Sequence, residues 1–196
     1  AIPASAYFYL SYFVSRNVIG IIDVSGAILS AQDAGPYTEM IAQAIHNDSI
    51  KAVVLRIDCP GGDAEQIEGI YLDLLELKAA KPVIASVVFA ASGGYYIAVA
   101  ANYIYAEPTS FLGNVGVIGT APPVLIPSEI VLETGPYKAT GFSELLFPFN
   151  LSTALNNFAS AVESGRGDRL KLTFSQLRSG LLYIGSDAVK LGLADE

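Results

Sequence analysis

Pro82-Val83-Ile84-Ala85-Ser86-Val87-Val88, followed closely by Ala91-Ser92-Gly93-Gly94 and then Tyr95-Tyr96-Ile97-Ala98-Val99-Ala100-Ala101, decides how this chain is read. The first run has the composition of a buried strand and the last that of a helix, so Ser92 falls on a strand-to-helix turn. A serine there can expose its hydroxyl, and adjacent glycines let a substrate backbone approach. The positive end of the following helix would favour negative charge beside such a nucleophile. Taken alone, the same residues also describe a serine that caps a helix in a glycine-rich turn.

A second strand-like run, Ala52-Val53-Val54-Leu55-Arg56-Ile57-Asp58, precedes Pro60-Gly61-Gly62. Consecutive glycines at a strand end can turn backbone N–H groups into a pocket, as acyl transfer requires for the oxyanion of its tetrahedral intermediate. An ordinary Pro-Gly turn is the alternative. A Gly-Gly after one strand and a Ser-Gly-Gly after the next together favour a site.

A serine nucleophile needs a base within hydrogen-bond reach. The one histidine, His46, falls at the polar end of a helical segment and reads as a surface residue, which disfavours a Ser-His-Asp arrangement. Lysine serves instead when burial lowers its pKa from about 10.4 toward neutrality. Of six lysines, Lys51, Lys78, Lys81 and Lys190 sit at polar element ends, and Lys171 in the charged run Arg166-Gly167-Asp168-Arg169-Leu170-Lys171. Lys138, in Gly135-Pro136-Tyr137-Lys138-Ala139-Thr140-Gly141-Phe142, has no other charge beside it and ranks first.

These motifs resemble the signal peptide peptidase A (SppA) family. The resemblance is carried by Arg56-Ile57-Asp58-Cys59-Pro60-Gly61-Gly62, Lys81-Pro82-Val83-Ile84-Ala85-Ser86 and Ala90-Ala91-Ser92-Gly93-Gly94-Tyr95-Tyr96. It continues through Gly113-Asn114-Val115-Gly116-Val117-Ile118-Gly119, Gly135-Pro136-Tyr137-Lys138 and the closing Tyr183–Asp195, covering nearly everything from Val18 onward. It implies a single α/β domain of crotonase/Clp-protease type, a repeated β-β-α superhelix with a parallel-rich sheet, over residues 18–196. It implies a membrane-associated serine endopeptidase that cuts apolar extended peptides such as remnant signal peptides. Ser92 would be nucleophile and Lys138 general base, with Gly62 and Gly93 giving the oxyanion-hole N–H groups. No cofactor and no metal is expected.

The partners so implied are peptides and further copies of the chain in a ring, where Lys138 could serve a neighbour's serine. An upstream anchor would hold the domain at the cell membrane on its extracytoplasmic side. The sequence departs from the family at Asp63, read as an acidic helix cap, and at Cys59, where serine is common and which reads as a packed residue. Three other classes fit in part: a stomatin-linked membrane protease of the same superfamily, a crotonase-like coenzyme A thioester enzyme, and a non-catalytic scaffold.

The 196 residues are 52% hydrophobic and 15% charged with net charge −8, and the sequence pI is near 4.6. That balance argues against nucleic-acid binding. The mean hydropathy of +0.46 predicts surface hidden in subunit contacts or at a membrane. Residues 1–17 form an apolar, aromatic arm, too short to span a bilayer, that suits a membrane interface or a neighbouring subunit. Asn17–Val24 reads as the first strand and Tyr37–His46 as a helix with Met40, Ile41, Ala44 and Ile45 on one face. Ile67, Ile70, Tyr71, Leu74 and Leu75 mark a helix that closes before Lys81-Pro82. Thr120–Pro127 reads as irregular, and Phe142–Phe149 as a core or interface strand or a groove wall.

Overall fold

Hydrophobic alternation sets the sheet. In the computed structural model, which describes residues 17–119 and 147–196, strand β2 (Ile50–Cys59) buries Val53, Leu55, Ile57 and Cys59 and turns the intervening residues outward. It lies between β1 (Val18–Ser25) and β3 (Val83–Ala91), and β4 (Tyr103–Gly113) follows. These four run parallel in sequence order, and the short β5 (Leu182–Ile184) pairs antiparallel to β4. The expected parallel-rich α/β sheet is thus present, with one antiparallel edge. The 1–17 arm, apart from Asn17, and Thr120–Pro127 lie outside the described residues.

Helix α1 (Ala31–His46) and helix α2 (Ala64–Ala80) connect the first three strands and pack on each other. Parallel strands joined in order by right-handed crossovers place their helices on one face. The core accordingly lies between that face and the Ile67, Ile70, Tyr71, Leu74 and Leu77 stripe of α2. Leu75, expected on this stripe, packs at its margin while Leu77 is buried. The six-residue α3 (Gly93–Ala98) follows β3 and is buried throughout.

Two boundaries differ from the sequence reading. Helix α1 begins six residues before Tyr37, although Pro36 lies inside it. Its first turn is closed by Ser30, whose hydroxyl accepts from Asp33 N–H, while the Asp33 carboxylate accepts from Leu29 N–H and the Ser30 hydroxyl. That cap offsets the hydrogen bond lost at proline. Phe147–Phe149, expected in a strand, opens helix α4 (Phe147–Arg166), and the rest of Phe142–Phe149 lies outside the described residues.

The run Arg166–Lys171 is not a solvated charged patch throughout. Arg166 is only 2% exposed; its Nε donates to Gly192 O at 2.7 Å, and its two terminal nitrogens grip both Asp195 oxygens at 2.8 and 2.9 Å. Arg169 adds a third bond to Asp195 at 2.8 Å, and Ile104 N–H a fourth at 2.7 Å. This latch ties the chain's last residues to the sheet beside helix α6 (Gly185–Lys190), while a single turn, α5 (Phe174–Leu177), lies before β5.

Burial pushes the Asp195 carboxyl up, but the Arg166 and Ile104 hydrogen bonds and the two guanidinium charges outweigh it and hold its pKa below the ordinary value. The stabilisation from Asp195 is therefore present above about pH 4, its unfolded-state pKa, and is lost as pH falls through the lower folded value. Replacing Arg166 by alanine removes the buried half of this latch and leaves Arg169 as the carboxylate's cation, and denaturant unfolding at pH 7 is expected to show a loss of about 2–3 kcal/mol. The gap from wild type should narrow in acid, where Asp195 is protonated in both proteins.

Candidate active site

Strand β3 leads into Ser92, whose φ of +51° and ψ of −121° are rare for a residue with a side chain. Such a conformation costs about 1–3 kcal/mol and persists only where its surroundings enforce it. Here Ser92 N–H donates to Gly113 O at 3.0 Å, and Ser92 O accepts from Tyr95 and Tyr96 N–H at 2.9 and 3.0 Å. Ser92 occupies the N-cap position of α3, yet its side chain makes no capping bond. Ser92 instead lines a cavity of about 440 Å³. With only six residues, α3 offers local N–H groups rather than the strong helix dipole expected from the sequence.

Glycine is required where the chain leaves β2. Gly61 has φ +106°, and a Cβ on Gly62 would stand 1.9 Å from Ile28 O. Gly62 forms a parallel bridge with Ile28 in which Ile28 N–H donates to Gly61 O and Asp63 N–H to Ile28 O. That pattern leaves the N–H of Gly62 on the opposite side of the chain, and it has no partner among the described residues. Gly93 N–H, the first of α3, is likewise without one. Gly62, Gly93 and Ser92 line the same cavity. Lys138 lies outside the described residues, so three of the four expected site residues are seen together.

The other candidates for base stand elsewhere. His46 is exposed at the end of α1, and none of the five described lysines lines the Ser92 cavity. Lys78 and Lys81 are not simply solvated, as the sequence suggested. Lys81 Nζ donates to Ala44 and Asn47 carbonyls, and Lys78 Nζ to Ala101 O at 3.1 Å. Burial, then Arg169 and Arg166, lowers the Lys78 pKa.

Cys59 is fully buried, burial pushes its thiol pKa up, and its sulfur packs against Gly61, as befits a packing residue. Asp63 caps α2, its Oδ1 accepting from Gln66 N–H at 3.2 Å, so the carboxylate at the cavity rim has a structural task. Among the described residues, no three His, Cys, Asp or Glu side chains gather as a metal site would require.

The sequence reading missed the far wall. Tyr96 stacks on Phe158 of α4 with centroids 4.7 Å apart and rings 4° from parallel, and Tyr71 leans on Tyr96 at 4.7 Å. Burial, then the nearby Glu68 and Tyr71, pushes the Tyr96 phenol up to about 12. Tyr96 was findable, one helical turn beyond Ser92. Phe158 and Asn157 come from α4, and nothing local in sequence points them here. Asn114, with φ +55°, also lines the cavity; its side chain donates to Gly180 O at 2.7 Å and its N–H to Leu181 O at 2.7 Å.

Comparison with known proteins agrees with this geometry. The model for peptidase family S49 matches residues 76–125, which hold β3, Ser92 and all of β4. The candidate protease slr0021 of Synechocystis sp. is 30% identical over 196 residues, covering 92% of this chain and 70% of the relative. The chain belongs to peptidase family S49. Protease 4 of Haemophilus influenzae, another S49 relative by this match, is 31% identical over 208 residues, 95% of this chain and 34% of that protein. The chain thus spans about a third of the length of the Protease 4 relatives it matches. Among solved structures, a mutant 1510-N membrane-bound stomatin-specific protease in complex with a substrate peptide shares the fold with a TM-score of 0.61. It does so at 19% identity, covering 93% of this chain and 75% of that one. Among the described residues no helix is long and apolar enough to cross a membrane.

The contact at Gly62 gives a direct check. A Gly62→Ala variant must push β2's exit away from Ile28 and displace the free N–H. Labelling of Ser92 by a fluorophosphonate probe is expected to slow by about 10²-fold or more, whereas His46→Ala should label at the wild-type rate.

Proposed function

We propose that this chain is the catalytic unit of a membrane-associated serine endopeptidase that cuts extended apolar peptides such as remnant signal peptides, with Ser92 and Lys138 as its dyad. The observation that carries this reading is Ser92 itself. It is held at positive φ, free of any capping bond, in one cavity with two N–H groups that have no partner among the described residues. Family membership supports peptide hydrolysis as the reaction class. Support for Lys138 is of two kinds. It is the sole basic side chain in residues 120–146, and none of the other five lysines lines the cavity.

In the proposed reaction, Ser92 Oγ attacks the scissile carbonyl carbon while its proton passes to neutral Lys138 Nζ. The carbonyl oxygen becomes an oxyanion that takes hydrogen bonds from Gly62 and Gly93 N–H. Collapse breaks the C–N bond, and Lys138 returns the proton to the leaving amine. Water then attacks the acyl-enzyme ester, giving its proton to Lys138; collapse breaks the C–Oγ bond, Lys138 returns that proton to Ser92 Oγ, and the acid product leaves and ionises in solvent. The chain works as a homo-oligomer, with Lys138 acting within its own subunit or on a neighbour's serine. It is held at the extracytoplasmic face of the cell membrane by an anchor upstream.

Hydrolysis of a fluorogenic apolar peptide tests this. Ser92→Ala and Lys138→Ala are each expected to lose at least about 10³-fold in kcat/KM. Wild-type activity should climb with pH until the lysine is neutral, above the range in which a histidine base would level off. Full activity in both variants would dispose of the assignment.

A further inference from the structure

The cavity extends beyond Ser92 to a surface formed by three helices. Its apolar wall is the Tyr96–Phe158 stack together with Ile67. Set in that wall is one half-buried carboxylate, Glu68 of α2. Its Oε1 accepts a single long bond from Asn157 Nδ2 at 3.4 Å, and its Oε2 has no partner among the described residues. No lysine, arginine or histidine among the described residues lines the cavity with it. Asp63, the other carboxylate there, is exposed at the rim and committed to its helix cap.

A partly desolvated carboxylate without a cation is costly unless something else supplies one. The shape of the site says what fits: an apolar stem lying along Ile67 and the aromatic stack, with a positive tip reaching Glu68. Lysine and arginine are the side chains built that way. A purely apolar side chain would fill the wall but leave Glu68 facing hydrocarbon, and an acidic one would be repelled. We infer that Glu68 makes the Ser92 cavity selective for a basic residue beside the scissile bond, within an otherwise apolar peptide. The inference deepens the endopeptidase reading and rests on it.

The test uses sets of three fluorogenic peptides of the same apolar sequence carrying Lys, Met or Glu, one set on the acyl side and one on the amine side of the bond. In one of the two sets wild type is expected to favour Lys over Met by about tenfold in kcat/KM and to disfavour Glu. Glu68→Gln should bring the Lys-to-Met ratio close to one, chiefly through KM for the Lys peptide, and Glu68→Asp should keep part of it. Binding of the uncleaved Lys and Met peptides to Ser92→Ala, followed by calorimetry, should show the same order without turnover. A wild-type enzyme that cuts the Met peptide at least as well as the Lys peptide in both sets overturns the inference and leaves the peptidase reading standing. So does a Glu68→Gln variant that slows all the peptides equally, which would make Glu68 a support of the catalytic groups. If wild type cuts none of them and binds neither peptide when Ser92 is replaced, the inference falls together with the reading beneath it.

Discussion

The chain leaving β2 and the chain leaving β3 meet backbone to backbone, and the site depends on that contact. A Cβ on Gly61 would lie 2.7 Å from Gly93 N, and one on Gly94 would lie 2.2 Å from Cys59 O. No side chain fits between the two segments, so they approach at a distance only glycine permits. The approach fixes the turn in which Ser92 takes its positive φ, and it sets Gly62 and Gly93 in one cavity. It also explains why a small, fully buried residue stands at Cys59, whose sulfur fills the space beside Gly61 N–H.

The rest of the fold delivers these segments to one place. Pro60–Gly62, Ser92 and Asn114 each follow the carboxyl end of a strand, and those strands are adjacent and parallel, so their ends come together as binding sites in open α/β sheets do. Sequential crossovers place α1 and α2 on one face of the sheet and turn the other outward. On that outer face Ile21, Val54, Ile84 and Tyr103 form a row in register across four strands, and all but Val54 are exposed. The next row begins with the exposed Asp23–Arg56 ion pair. Part of the high mean hydropathy thus resides on this outer face and not in the core.

Legibility in the sequence followed the range of the interactions. Helix α2 was readable because Ile67, Ile70, Tyr71 and Leu74 repeat at helical spacing within a single element. The Ser92 turn and the Gly61-Gly62 exit were readable because strand, turn and helix compositions change within a few residues. The start of α1 was not, because the apolar face begins only at Met40 and the first turn is set by the Ser30–Asp33 cap. Arg166 looked like a surface charge because its partner, Asp195, lies at the other end of the closing segment. The cavity's aromatic wall was hidden for the same reason: Tyr96 and Phe158 are stacked by tertiary packing alone.

The cavity's electrostatics place a condition on the proposed dyad. A lysine that is to act as a base must be neutral, and burial favours that, but carboxylates nearby favour its charged form. Asp63 and Glu68 both line the cavity, so without substrate they oppose the lowering of a lysine pKa there. Asp63 is largely solvated, which screens it; Glu68 is half-buried and is screened less. A substrate ammonium or guanidinium seated on Glu68 cancels that carboxylate and sets a like charge against the protonated lysine. Both effects push the base toward its neutral form at the moment a peptide lies over Ser92. On this reading a basic side chain seated on Glu68 offsets that carboxylate's hold on the proposed base, an effect that adds to its larger effect on binding.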